Sequence, residues 1–178
     1  MIIGLTGGIA SGKSTVVEMI KEVGYKVIDA DQLVHDMQAK GGRLYRALHD
    51  WLGEDILLSD GELNRPKLGK LIFSSEEMRH QSAEIQGKII REELAVKRDC
   101  LAKEEDVFFM DIPLLIENGY QDWFDQIWLV AVSPEVQRQR LMKRNHLSAE
   151  EAGMRIASQM PLAEKLPYAS LVIDNNGS

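Results

Sequence analysis

The chain has 178 residues, 44% of them hydrophobic, and carries 28 acidic against 21 basic side chains for a formal charge of −7. That is enough apolar material for one domain with a proper core, and the acidic balance argues against a broad nucleic-acid-binding surface, which needs clustered Lys and Arg. No apolar run approaches the roughly 20 residues needed to cross a bilayer, the N-terminus has no signal-peptide pattern, and the single cysteine, Cys100, reads as a half-buried helix residue with no internal partner, so we expect a soluble cytoplasmic protein without nucleic-acid or membrane partners.

The first element is the short apolar run Met1-Ile2-Ile3-Gly4-Leu5, read as a buried strand. It leads directly into Gly7-Gly8-Ile9-Ala10-Ser11-Gly12-Lys13-Ser14-Thr15, a full match to the phosphate-binding pattern G-x-x-x-x-G-K-[ST]. Small residues let the backbone wrap an anion with its N–H groups pointing inward, while the following helix offers its positive end to the same phosphates. Val16, Val17, Ile20 and Val23 supply that helix, over 14–23, at helical spacing. In such a loop Lys13 reaches the β- and γ-phosphates and the Ser14 hydroxyl holds Mg²⁺. The alternative is a plain Gly-rich turn, but the whole pattern arises by chance in fewer than about one chain in a hundred of this size.

Further apolar, β-branched runs occur at 26–28, 107–110, 126–132 and 171–173, separated by segments of helical period. Strands that are apolar throughout and alternate with helices predict a parallel sheet covered on both faces, with ligands beyond the strands' carboxyl ends. The residues after each run are polar: Asp29-Ala30-Asp31, Asp111-Ile112-Pro113, Ser133-Pro134 and Asp174-Asn175-Asn176-Gly177. Between the second and third strands lies an insertion of about 32–105, too long for a simple crossover. Within it Ser75 caps a helix running toward Lys103, with Met78, Ile85, Ile89 and Ile90 on its apolar face.

These residues also bear on the reaction. The Asp-x-x-Gly and Asn-Lys-x-Asp elements of a GTPase are missing from the fitting places. Asp31, just past the second strand, either takes the proton of an attacking hydroxyl or caps the helix over 32–38; Asp29, at the strand end, reads as structural. The helix over 136–145 carries Arg138, Arg140, Lys143 and Arg144, and Ser148 caps a second helix from Ala149. That basic hairpin, about 138–150, is either a lid over the phosphates or a solvated face. The four histidines and Cys100 form no zinc-site spacing. Trp51, Trp123 and Trp128 read as core or interface residues.

Gly4-Leu5-Thr6-Gly7-Gly8, Asp29-Ala30-Asp31, Asp60-Gly61-Glu62-Leu63-Asn64-Arg65, Asp111-Ile112-Pro113-Leu114-Leu115 with Glu117, and Gln159 followed by Asp174-Asn175-Asn176-Gly177 together resemble the dephospho-coenzyme A kinases, from the first residues to the last. The resemblance implies an α/β P-loop kinase fold, a single domain over 1–178 with a five-stranded parallel sheet flanked by helices. Its parts would be a core of 1–31 and 106–178, a helical acceptor-binding insertion and a lid. It implies ATP-dependent phosphorylation of the ribose 3′-hydroxyl of dephospho-coenzyme A, the last step of coenzyme A synthesis, with Mg²⁺. Residue by residue, Gly8 and Ala10 to Thr15 would bind the triphosphate, with Ser14 as metal ligand. Asp31 would be the general base, and Lys13 and Arg140, with Arg144, would contact phosphates. His35, Leu114, Leu115 and Glu117 would line the acceptor side, and Asn175 and Gly177 would lie near the adenine. Two features depart from the family: its frequent His-Pro pair is Gln86-Gly87 here, and the chain stops at Ser178 where the family continues into a further helix. Apart from this resemblance, the sequence leaves open a related kinase of another small hydroxyl acceptor, or a nucleotide-dependent binding switch.

Overall fold

Each apolar run of the sequence becomes a strand of one sheet. The computed structural model describes residues 1–157 and 159–177, and these divide into two compact units, 1–29 with 101–178 and 30–100. In the first unit β1 (Ile2–Gly7), β2 (Lys26–Asp29), β3 (Phe108–Asp111), β4 (Gln126–Ala131) and β5 (Leu171–Asp174) form a sheet in the order β2-β3-β1-β4-β5. Every pairing is parallel, as expected for strands apolar on both faces. The core behind the sheet gathers Ile3, Leu5, Phe109 and Val130 with Val17 and Ile20 of α1 (Lys13–Val23). Phe109 also meets Trp128 edge-on at 5.0 Å.

The strand order changes direction at β1, which has β3 on one side and β4 on the other. A crevice outside the carboxyl ends opens at such a switch point, and β1 runs into the glycine-rich loop there. Register sets the neighbours: Leu5 lies beside Asp111, Asp29 beside Asp111, and Ala131 beside Asp174. Two carboxylates therefore stand on adjacent strand ends of the sheet.

Beyond β4 the polypeptide forms the helical pair α6 (Pro134–Asn145) and α7 (Ala149–Ala157). Ser133 caps the first, accepting from the Val136 N–H at 3.3 Å, with Pro134 in the first turn, where its missing N–H is not needed. Ser148 caps the second, accepting from the Glu151 N–H at 3.1 Å. Leu141 and Ala152 are fully buried. The short α8 (Leu162–Lys165) then leads back toward β5.

The second unit is helical: α2 (Ala30–Gln38), α3 (Arg43–Leu52), α4 (Arg65–Ile72) and most of α5 (Glu76–Ala102). Its core is Leu48, Ile56, Leu63 and Leu68, with Tyr45 and Trp51 packed on it. Asn64 caps α4 through the Lys67 N–H at 3.2 Å, and Ser75 caps α5 through the Met78 N–H at 3.1 Å. Met78, Ile85, Ile89 and Ile90 are half-buried along α5, while Cys100 is exposed rather than half-buried, since the last turns of the helix carry charge on most sides. Arg43 joins α3 to α5 by bonds of 2.8 Å to both Glu92 and Glu93.

Candidate active site

The loop between β1 and α1 owes its shape to two left-handed residues. Gly12 has φ 84° and Ala10 has φ 58°. A residue with a Cβ in that region costs about 1–2 kcal/mol, so the bend at Ala10 is held by its surroundings. Backbone of alternating hand favours an anion-binding nest, and α1, whose positive end favours anions, follows the loop directly. Gly12 is required twice, by its φ and by a neighbour: a Cβ there would stand 2.1 Å from Asn175 Nδ2 and 3.9 Å from Arg140 Nη1.

Lys13 opens α1, and its ammonium is ion-paired with the Asp111 carboxylate at the end of β3. Both side chains are largely shielded, at 15% and 11% exposure, so the lysine is held at the loop rather than left to wander in solvent. Ser14 and Thr15 are exposed in the next positions of the same turn. Ser11 is buried, and its Oγ has no hydrogen-bond partner among the described residues.

The segment after β5 closes on the loop from the other side. Asn175 Nδ2 donates to the Ser11 carbonyl at 2.8 Å. Arg140, on α6, donates to the carbonyls of Asn175 at 2.7 Å and Gly177 at 2.6 Å. Thus Arg140 and Asn175, 35 residues apart, meet beside Gly12, and the same arginine holds Gly177. Arg144, one turn on, is exposed and bonds Asn145; it is not part of that cluster.

After β3, Thr6 Oγ1 donates to the Pro113 carbonyl at 3.0 Å and ties the Pro-Leu-Leu turn to β1. Leu114 is exposed at 38%. Leu115 is not on the surface: it is fully buried and fills the space that a Cβ on Gly4 would need, 2.7 Å away. Glu117 is not a surface charge either. It faces Lys165, itself only 3% exposed, at 3.4 Å, and its carboxylate oxygens have no hydrogen-bond partner among the described residues. Lys165 was not singled out in the sequence, where a lone Lys in a short polar helix carries no signal. It borders a cavity of about 320 Å³ whose wall includes Gly8, Ser11, Gln137 and Gln159.

In the helical unit Asp31 is exposed in the first turn of α2. His35, one turn further, has its Nδ1 3.3 Å from Arg65, which also donates to Gln38 at 2.6 Å. Gln38 in turn donates to Gln86 at 3.4 Å, and Gln86 donates to Ser82 at 2.7 Å. Gln86, where the family often has His, is thus part of a polar chain inside this unit. His80 is exposed and pairs only with Glu84 at 3.1 Å among the described residues.

Among the described residues no group of three or more His, Cys, Asp or Glu is arranged to hold a metal. At the loop Ser14 and Thr15 present exposed hydroxyls and Asp111 a carboxylate already paired with Lys13, hard oxygen donors of the kind that Mg²⁺ takes together with phosphate oxygens and water. No helix among the described residues is long and apolar enough to cross a membrane.

Comparisons with known proteins agree with this geometry. The family model for dephospho-CoA kinases matches residues 1–178. The chain is 90% identical over 178 residues to a dephospho-CoA kinase of Streptococcus thermophilus, covering 100% of this chain and 90% of the relative. It is 63% identical over 177 residues to one of Streptococcus pyogenes, covering 99% and 90%. Among solved structures, a Thermus thermophilus protein superposes with a TM-score of 0.82 at 33% identity, over 100% of this chain and 90% of that one. Dephospho-CoA kinase from Campylobacter jejuni gives 0.75 at 29% identity, over 99% and 89%. With the phosphate loop, the parallel sheet and these whole-length matches in agreement, the chain belongs to the dephospho-CoA kinase family.

Proposed function

We propose that this chain transfers the γ-phosphoryl group of ATP to the ribose 3′-hydroxyl of dephospho-CoA, yielding CoA and ADP in the final step of CoA biosynthesis. The observation that carries the reading is the phosphate loop at the switch point of the sheet, with Lys13 held beside it by Asp111 in a chain of this family.

The reaction divides among residues as follows. Gly8 and Ala10 to Thr15, the loop and the start of α1, bind the β- and γ-phosphates. Lys13 exchanges part of its pairing with Asp111 for phosphate oxygens, stabilising the charge that grows there in the transition state. The Ser14 hydroxyl, with the phosphates, would hold Mg²⁺, which would supply further neutralisation of that charge. Asp31 accepts the proton of the 3′-hydroxyl as its oxygen bonds to the γ-phosphorus and the bond to the β,γ-bridging oxygen breaks, leaving ADP. Arg140, already bound to the 175–177 segment, and Arg144 close the basic face over the phosphates and exclude water. Asn175 and Gly177 lie at the adenine, and Asp31, His35, Leu114 and Glu117 serve the acceptor side, Leu115 by supporting the turn from beneath. The lone exposed thiol of Cys100 and the use of ATP suit a cytoplasmic setting.

The test is ADP formation from Mg²⁺-ATP with and without dephospho-CoA, with the product weighed by mass spectrometry. Acceptor-dependent ADP with one phosphate added to dephospho-CoA is expected. ATP consumption that ignores the acceptor, from protein that binds ATP, would refute the reading.

A further inference from the structure

Two glutamines hold a single residue of the phosphate loop through its backbone. The Ile9 N–H donates to Gln159 Oε1 at 3.0 Å, and the Ile9 carbonyl accepts from Gln137 Nε2 at 2.7 Å. The partners are 150 and 128 residues away along the chain. The approach is close: a Cβ on Gly8 would stand 2.8 Å from Gln137 Nε2 and 3.7 Å from Gln159 Oε1. Backbone chemistry also fixes which end of each amide is used, since an N–H can be met only by the oxygen and a carbonyl only by the nitrogen.

Ile9 immediately precedes Ala10, whose left-handed φ of 58° makes the bend of the nest. A non-glycine residue stays in that region only where its surroundings over-determine it. The two bonds to Ile9 act on the residue next to that bend. Gln137 lies one turn before Arg140 on α6, and Gln159 follows α7, so the helix that presents Arg140 and the segment after α7 both grip the loop.

We propose that Gln137 and Gln159 are positioning residues that fix the Ile9-Ala10 bend, and through it the affinity of the loop for the triphosphate. The proposal rests on the ATP-dependent reading above. Neither side chain need touch the nucleotide; each acts through the loop backbone.

Substitution by glutamate separates the two bonds. In Q159E the new carboxylate oxygens still accept from the Ile9 N–H, whereas in Q137E an ionised carboxylate has no proton to give the Ile9 carbonyl and repels it. Because Q159E and Q137E add the same charge beside one backbone residue, the difference between them reports the hydrogen bond. ATP affinity is measured by calorimetric titration, alongside kcat and both KM values. We expect Q159E to bind ATP about tenfold more tightly than Q137E, with the KM for dephospho-CoA within about twofold of the unsubstituted chain in both. A difference below about threefold, or one of opposite sign, overturns the proposal, as does a uniform loss in every parameter that tracks thermal stability. Should Q137E fail to fold, the neutral Q137M is compared with the unsubstituted chain instead, and a loss of ATP affinity below about threefold overturns the proposal. Absence of ATP binding by the unsubstituted chain overturns the kinase reading itself, which separates that failure from failure of the clamp.

Discussion

Glu117→Gln isolates the cost of leaving a buried ammonium without its counter-charge. Lys165 is 3% exposed and its carboxylate partner stands at 3.4 Å. Removing one member of a buried pair costs about 3–5 kcal/mol, because the other ion remains in a poorly solvating site. Here the Glu117 side chain keeps 17% exposure, and the replacement amide still offers its oxygen to Lys165, so the loss falls to the bottom of that range or just below it, about 2–3 kcal/mol. In a chain of this size each kcal/mol moves the Tm by about 2–4 °C, which gives a fall of about 4–12 °C. Urea denaturation of E117Q, K165M and the double variant forms a thermodynamic cycle. The double variant removes both charges and should be more stable than the sum of the single losses by at least about 1 kcal/mol. A loss below about 0.5 kcal/mol for E117Q, or strict additivity in the cycle, would show that the pair is solvated and would refute the argument from burial.

Asp31→Asn should lower kcat by about 10²–10⁴ while ATP affinity is kept, if the carboxylate is the base; near-normal turnover would remove it from the mechanism and turn attention to Asp111. Arg140→Ala should lower kcat by about 10²–10³ and also raise the KM for ATP, since the 175–177 segment loses two bonds; an effect confined to the KM for dephospho-CoA would refute its place at the phosphates. Gly4→Ala places a methyl 2.7 Å from both Leu115 and Phe124, and overpacking of this kind should destabilise by about 1–3 kcal/mol in urea; an unchanged midpoint would mean that Leu115 has another rotamer to take. In the helical unit, the hydrogen bond from Arg43 holds the Glu92 carboxyl below its ordinary value. A depressed folded value means that its stabilisation is present above the unfolded carboxylate range and is lost as pH falls through the folded value. The Tm of Glu92→Gln should therefore lie slightly below that of the unsubstituted chain at neutral pH, with the gap closing in acid; a gap that widens in acid would contradict the sign.

Local patterns determined much of this protein. A strand, a glycine-rich turn and a helix with a lysine and a hydroxyl at its start are contiguous, and the nest is made of successive N–H groups, so Gly7 to Thr15 could be read from spacing alone. The caps at Ser75 and Ser148 were legible for the same reason, each acting on an N–H three residues ahead. Apolar strands alternating with helices gave the parallel sheet. What tertiary structure decided are the partners of side chains whose types are ordinarily solvent-exposed. Lys13 with Asp111 joins β3 to α1 across 98 residues, and Glu117 finds Lys165 in the same way. Gln137 carried no signal in the sequence, and the family resemblance marked Gln159 and Asn175 without giving their partners; the fold brings all three onto the backbone of one loop. Leu114 and Leu115 are alike in sequence, yet one is exposed and the other fully buried, because the turn after β3 points successive side chains to opposite sides. Periodicity and loop chemistry report on neighbours along the chain, whereas burial and pairing depend on which distant segments the packed sheet brings together.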